Sequence, residues 1–152
     1  MQCLDDASQE LKRVDHLIFV SLKYTRTTDV LLNIINRMID AYGFMLDCLL
    51  NLAKEQKLIE EIPGTPKERA TILKQAYEDK EIHQHVDMYM LLRLMAKSEY
   101  TSENEYRRHV TMITYINGQK EILNIDLVSV YYENMISLFE KIRLMISPQK
   151  DD

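Results

Sequence analysis

TTDVLLNIINRMIDAYGFMLDCLLNLAKEQK, residues 27–57, decides how the chain is read. It holds no proline and one glycine, Gly43, and its apolar residues recur at helical spacing. Leu31, Met38, Met45 and Leu52 fall seven apart. Ile35, Tyr42 and Leu49 form a second row, and Leu32, Ile39, Leu46 and Ala53 a third. Side chains three, four and seven apart share a face, so three adjacent apolar rows cover more than half of one long cylinder. Asn33, Asn36, Arg37, Asp40, Asp47 and Asn51 are left a narrow polar stripe. A helix touched on so many sides is the central post of a bundle.

Upstream, Leu4, Ala7, Leu11, Val14, Ile18 and Leu22 step by three or four, which predicts a first amphipathic helix over about 4–24. The connection at 23–29 is short, and Thr27 or Thr28 can cap the next helix, so the first two helices are expected to lie antiparallel. Downstream, Ile62-Pro63-Gly64-Thr65-Pro66 is the clearest break in the chain. Thr65 with Glu68 makes a capping box and Pro66 takes the first helical position, where its missing N–H costs nothing. The stripe Ala70, Leu73, Ala76, Tyr77 and the stripe Ile82, Val86, Tyr89, Leu92, Ala96 then flank a charged run at 78–81, compatible with one helix or two.

Residues 98–104 are polar, and Ser102 with Glu105 reads as the cap of a short helical turn. The period then changes. Val110, Met112, Thr114 and Ile116 alternate with Thr111, Ile113 and Tyr115, and Asn117-Gly118 separates them from a second β-favouring run. Asn-Gly supplies the two positive φ angles of a type I′ turn, which predicts a hairpin at about 109–125. Asp126 reads as the cap of a last helix carrying Val128, Tyr131, Met135, Leu138, Ile142 and Met145, ending before Pro148. The expected fold class is therefore mostly all-α: an antiparallel up-and-down bundle of about five helices with one short hairpin. It forms a single domain over 1–148 with a frayed tail at 149–152.

Of 152 residues, 46% are hydrophobic and 28% charged, with three glycines and three prolines, which fits a folded helix-rich chain rather than a disordered one. The formal charge of −5 provides no overall positive field for nucleic acid, so any such binding must be local. Cys3 and Cys48 are too few for a disulfide framework; Cys48 lies on an apolar face where a buried free thiol is the usual outcome, which points to the reducing cytoplasm. The acidic, polar start does not read as a signal peptide. No apolar run approaches the roughly 20 residues needed to span a bilayer, so no membrane association is expected.

Three clusters carry chemistry. At 23–29, Lys23, Tyr24, Arg26 and Thr28 gather just before a helix N-terminus, where free N–H groups favour anions, and His16 lies seven residues before Lys23. A phosphate or nucleotide could be held there. The commoner use of such residues is plain capping, with Arg26 paired to Asp29 and Tyr24 covering the core. Arg107-Arg108-His109 opens the hairpin and is the only compact basic cluster; it could touch RNA phosphates or merely guard a strand edge. Glu81 with His85, and His83 with Asp87, are each four apart. Zinc ordinarily needs three or four ligands, so no metal is expected and a solvated polar face is the favoured reading. No phosphate loop or nucleophile motif is present, and no cofactor is expected.

Two long antiparallel helices, further bundle helices and a closing helix resemble the HEPN domains, small prokaryotic helical modules that usually dimerise. The stretch ELKRVDHLIFVSLKYTRTTDVLLNIINRMI, residues 10–39, resembles small archaeal proteins. Active HEPN ribonucleases are typified by an arginine followed four to six residues later by a histidine. Here Arg13 and His16 have two residues between them, and Arg107 and Arg108 precede His109 too closely. The resemblance thus implies a homodimeric, non-catalytic or degenerate module binding RNA, a nucleotide or a protein partner. Two alternatives stand beside it. One is a ribonuclease or nucleotide-handling enzyme of toxin–antitoxin type using His16, Lys23, Tyr24 and Arg26. The other is a bundle whose hairpin edge pairs with another protein's strand.

Overall fold

A computed structural model describes residues 1–146; the tail expected to fray at 149–152 lies outside the described residues. The chain is mostly helical with a small antiparallel sheet, as the periodicity predicted. Helix α1 runs over Gln2–His16, continues through a π-helical stretch, Leu17–Ser21, and ends in the turn Leu22–Tyr24. Helix α2 is the expected rod, Thr28–Glu55, capped by Thr27, whose Oγ1 accepts the Val30 N–H at 3.3 Å. Its first and second apolar rows are buried throughout, whereas Leu32 and Ile39 of the third are only half-buried. A fourth row that the spacing argument did not count, Ile34, Ala41 and Cys48, is fully buried too. Asn33, Asn36, Arg37, Asp40 and Asn51 remain exposed.

The first two helices are antiparallel, since Glu10 lies 3.7 Å from Arg37 and Cys3 is joined to Cys48. That bond corrects the expectation of a buried free thiol. The two Cα atoms sit 5.7 Å apart, inside the range a disulfide spans. The cysteines therefore give no support to a reducing compartment, because disulfides persist mainly in oxidising ones.

Two helices, not one, occupy 66–97. Helix α3, Pro66–Ala76, starts at the predicted capping box, with Thr65 Oγ1 accepting the Glu68 N–H at 3.2 Å. Helix α4, Lys80–Lys97, begins afresh because the Asp79 carboxylate accepts the N–H groups of Glu81 and Ile82 at 3.0 and 3.2 Å. Tyr77 between them is extended and donates its hydroxyl to the Leu49 carbonyl at 2.7 Å, tying the break to α2.

The hairpin is β2, Thr111–Ile116, and β3, Gln119–Leu123, joined by Asn117 and Gly118 at φ 51° and 81°. Met112 pairs with Leu123 and Ile113 with Ile122. A strand that the sequence did not announce, β1, Tyr100–Glu103, adds antiparallel to β2, giving the order β1-β2-β3. Ser102 thus belongs to a strand rather than to a helical turn, and one edge of the hairpin is already covered. The last helix, α5, is Ile125–Ile146, and its cap is Asn124, which accepts the Leu127 N–H at 2.8 Å. Asp126, the expected cap, instead pairs with Arg108. One apolar cluster runs through all five helices and reaches the sheet through Met112 and Leu123. Among the described residues no helix is long and apolar enough to cross a membrane.

Candidate anion-binding cleft

The turn between α1 and α2 is held from afar. Glu105, 77 positions along the chain, accepts the Thr28 N–H at 3.1 Å and the Thr28 hydroxyl at 2.8 Å. A carboxylate of the protein's own therefore occupies the start of α2, where free N–H groups attract negative charge. Thr28 is buried, and its hydroxyl also meets Ser102 at 2.9 Å. The next residue, Tyr106, donates its backbone N–H to the Arg26 carbonyl at 2.6 Å. Asn104 and Tyr106 stand at φ 58° and 66°, a left-handed conformation that side-chain-bearing residues adopt at a cost of about 1–3 kcal/mol each. The two clamps hold this loop against the turn, and Arg108 beyond them reaches the end of α1.

The consequence is a cleft of about 180 Å³ that takes Lys23 and Arg26 from the α1 end, Arg108 from the loop, and Phe19 with Ile125 as apolar walls. Two basic groups 82 positions apart in sequence thus share one wall. Arg108 pairs with Asp126 at 2.9 Å, both side chains largely exposed. Arg26 makes no ion pair among the described residues, contrary to a pairing with Asp29, and its Nε is buried without an acceptor. Lys23 Nζ stands 5.9 Å from the centre of the Tyr24 ring, which is 78% exposed and does not cover the core.

The other predicted residues lie nearby but outside this cleft. His16 opens onto a separate hollow of about 350 Å³ with Lys12, Arg13 and Arg37. There the buried Glu10 bonds Arg13 at 2.7 Å and lies 3.7 Å from Arg37, so part of that charge is already answered. Arg107 and His109 are exposed on the clamped loop. The residue that sequence reading missed is Phe19. It stands off the apolar stripe of α1, is 57% exposed, and meets Tyr132 of α5 edge-on at 6.4 Å. The π-helical stretch that presents it has no period that a sequence reading would detect, and such bulges concentrate at functional sites.

The Glu81–Asp87 run does not form the single solvated face expected of it. His83 Nε2 is 2.6 Å from the Tyr77 carbonyl, Asp87 pairs with Lys74, and His85 turns inward. Among the described residues no three His, Cys, Asp or Glu side chains gather as a metal site would need. No family model, curated protein or solved structure matches the chain.

Proposed function

We propose that the protein is a non-catalytic, HEPN-like binding module that holds the phosphate backbone of single-stranded RNA at the cleft of Lys23, Arg26 and Arg108. One observation carries this reading: among the described residues Arg26 lines that cleft without an ion pair, its Nε buried with no acceptor, beside its near neighbour Lys23 and Arg108, which is brought from 82 positions away. A phosphate answers an arginine fork better than any group the cleft now holds. Phe19 adds an exposed π-face on which a base can stack, the combination by which single strands are gripped without reading their sequence. The hollow at Lys12, Arg13 and His16 lies further back along α1 and gives a neighbouring phosphate a second cationic stop. Binding is favoured over turnover because the described residues that line the cleft are cations and apolar groups, and the neighbouring Asp126 carboxylate is engaged by Arg108.

Fluorescence anisotropy with a short labelled oligouridine tests the proposal. Arg26→Ala and Lys23→Ala are each expected to weaken binding about tenfold, the worth of one charge-assisted contact, with the melting temperature unchanged for the exposed Lys23. Unaltered affinity in both variants, or cleavage of the oligonucleotide by the wild type, would overturn it. A homodimer belongs to the same proposal, and sedimentation of the intact protein returning a monomer would remove that part alone.

A further inference from the structure

We infer a second binding site, for a small uncharged molecule of nucleoside type, in the cavity bounded by α2, α4 and α5. The cavity measures about 340 Å³. That size matches the smaller pockets that take metabolite-sized ligands.

At its inner end the buried Tyr42 hydroxyl and His85 Nδ1 are 2.8 Å apart. His85 lines the cavity, and with Nδ1 so engaged its Nε2 is left 3.9 Å from the Glu81 carboxylate, beyond hydrogen-bond reach of it. Around the mouth stand the Gln84 and Asn134 amides and the Tyr131 phenol, which line the cavity and have no hydrogen-bond partner among the described residues. Four polar groups from two helices thus converge with capacity to spare. Each amide offers a donor and an acceptor side by side, the complement of a heterocycle edge that alternates the two.

Charge selects against anions. Lys141 bonds Glu81 at 3.1 Å and Asp79 at 2.6 Å, so one cation answers two carboxylates and the rim keeps a net negative charge. Burial also holds the imidazole of His85 below its ordinary pKa, favouring the neutral ring. A nucleoside suits this site and its 5′-phosphate does not. The site is therefore independent of the basic cleft, and its ligand is of opposite preference.

Isothermal titration of the intact protein with adenosine, guanosine, cytidine and uridine tests the inference, with glucose and AMP as comparison probes. At least one nucleoside is expected to bind saturably. Asn134→Ala and Gln84→Ala, both at exposed positions, should each weaken it about tenfold without lowering the melting temperature. The Arg26→Ala variant should bind it as the wild type does, which separates this site from the RNA cleft. Saturation by none of the four nucleosides overturns the inference. So does glucose binding in their place, AMP binding more tightly than adenosine to the Arg26→Ala variant, in which the basic cleft is disabled, affinity unchanged in both amide variants, or loss of nucleoside binding in Arg26→Ala.

Discussion

Tyr42 and His85 meet inside the bundle, and burial shapes the chemistry of both. It pushes the Tyr42 phenol up and the His85 imidazole down from its ordinary value of 6.5; nearby Glu81 opposes the second shift and Lys141 adds to it. A histidine depressed on folding binds fewer protons than its unfolded form as the pH falls below about 6.5, so stability is full above that point and declines beneath it. Asp79, held low by its hydrogen bond to Lys141, adds no loss until the pH approaches 3.8. Urea unfolding at pH 7.5 and 5.5 should show a lower midpoint at 5.5 for the wild type, and a smaller difference for His85→Gln. The inward turn of His85 was legible in one respect: it stands three residues after Ile82 and four before Tyr89, on the apolar stripe of α4. Its phenol partner, 43 positions away, was not, because nothing in one helix states which row of another it will face.

At the scale of elements, the helices declared themselves where apolar rows and caps agreed. The capping box at Thr65 and the turn at Asn117-Gly118 form as their chemistry requires. Strand β1 gave no such signal, since all four of its residues are exposed and no alternation marks them. It is recruited by the edge of β2, an event outside its own sequence. The cap that Glu105 places on α2 was hidden for the same reason: its partner is 77 positions away. Removing it should be felt. Glu105→Ala is expected to cost about 1–2 kcal/mol in urea unfolding, the usual worth of a cap reinforced by the helix dipole, and Glu105→Gln less. The same variant should also weaken RNA binding, because Glu105 holds the loop that positions Arg108. A stable variant with unchanged binding would show that the clamp has no part in forming the cleft.

The whole molecule is organised by α2, with neighbours on most of its circumference, and by the covalent tie from α1. Cys3 lies 23 residues before Arg26 in the turn and Cys48 lies 22 after it, so antiparallel helices of equal run bring the two level. Counting outward from the turn would have located that bond; reading Cys48 by its own helix face alone did not. A loop of 45 residues closed by a disulfide lowers the entropy of the unfolded chain. By the chain-entropy relation it is worth about 4 kcal/mol. The Cys3→Ser variant should therefore melt on the order of 10 °C lower than the oxidised protein, and reduction should lower the wild type similarly. An unchanged melting temperature in both would show that the helices hold their places without the bond.

The functional claim rests on Arg108 joining Lys23 and Arg26 in the folded chain, and the dependence of RNA binding on salt measures these cations directly. The cleft's three phosphate-contacting side chains, Lys23, Arg26 and Arg108, predict that log K for a strand short enough to fill the cleft alone falls with log salt at a slope of about −2, and a longer strand reaching Lys12 and Arg13 steepens it. Arg26→Ala should flatten it by about 0.7. A wild-type slope near zero, or one that all three single variants leave untouched, would contradict the account.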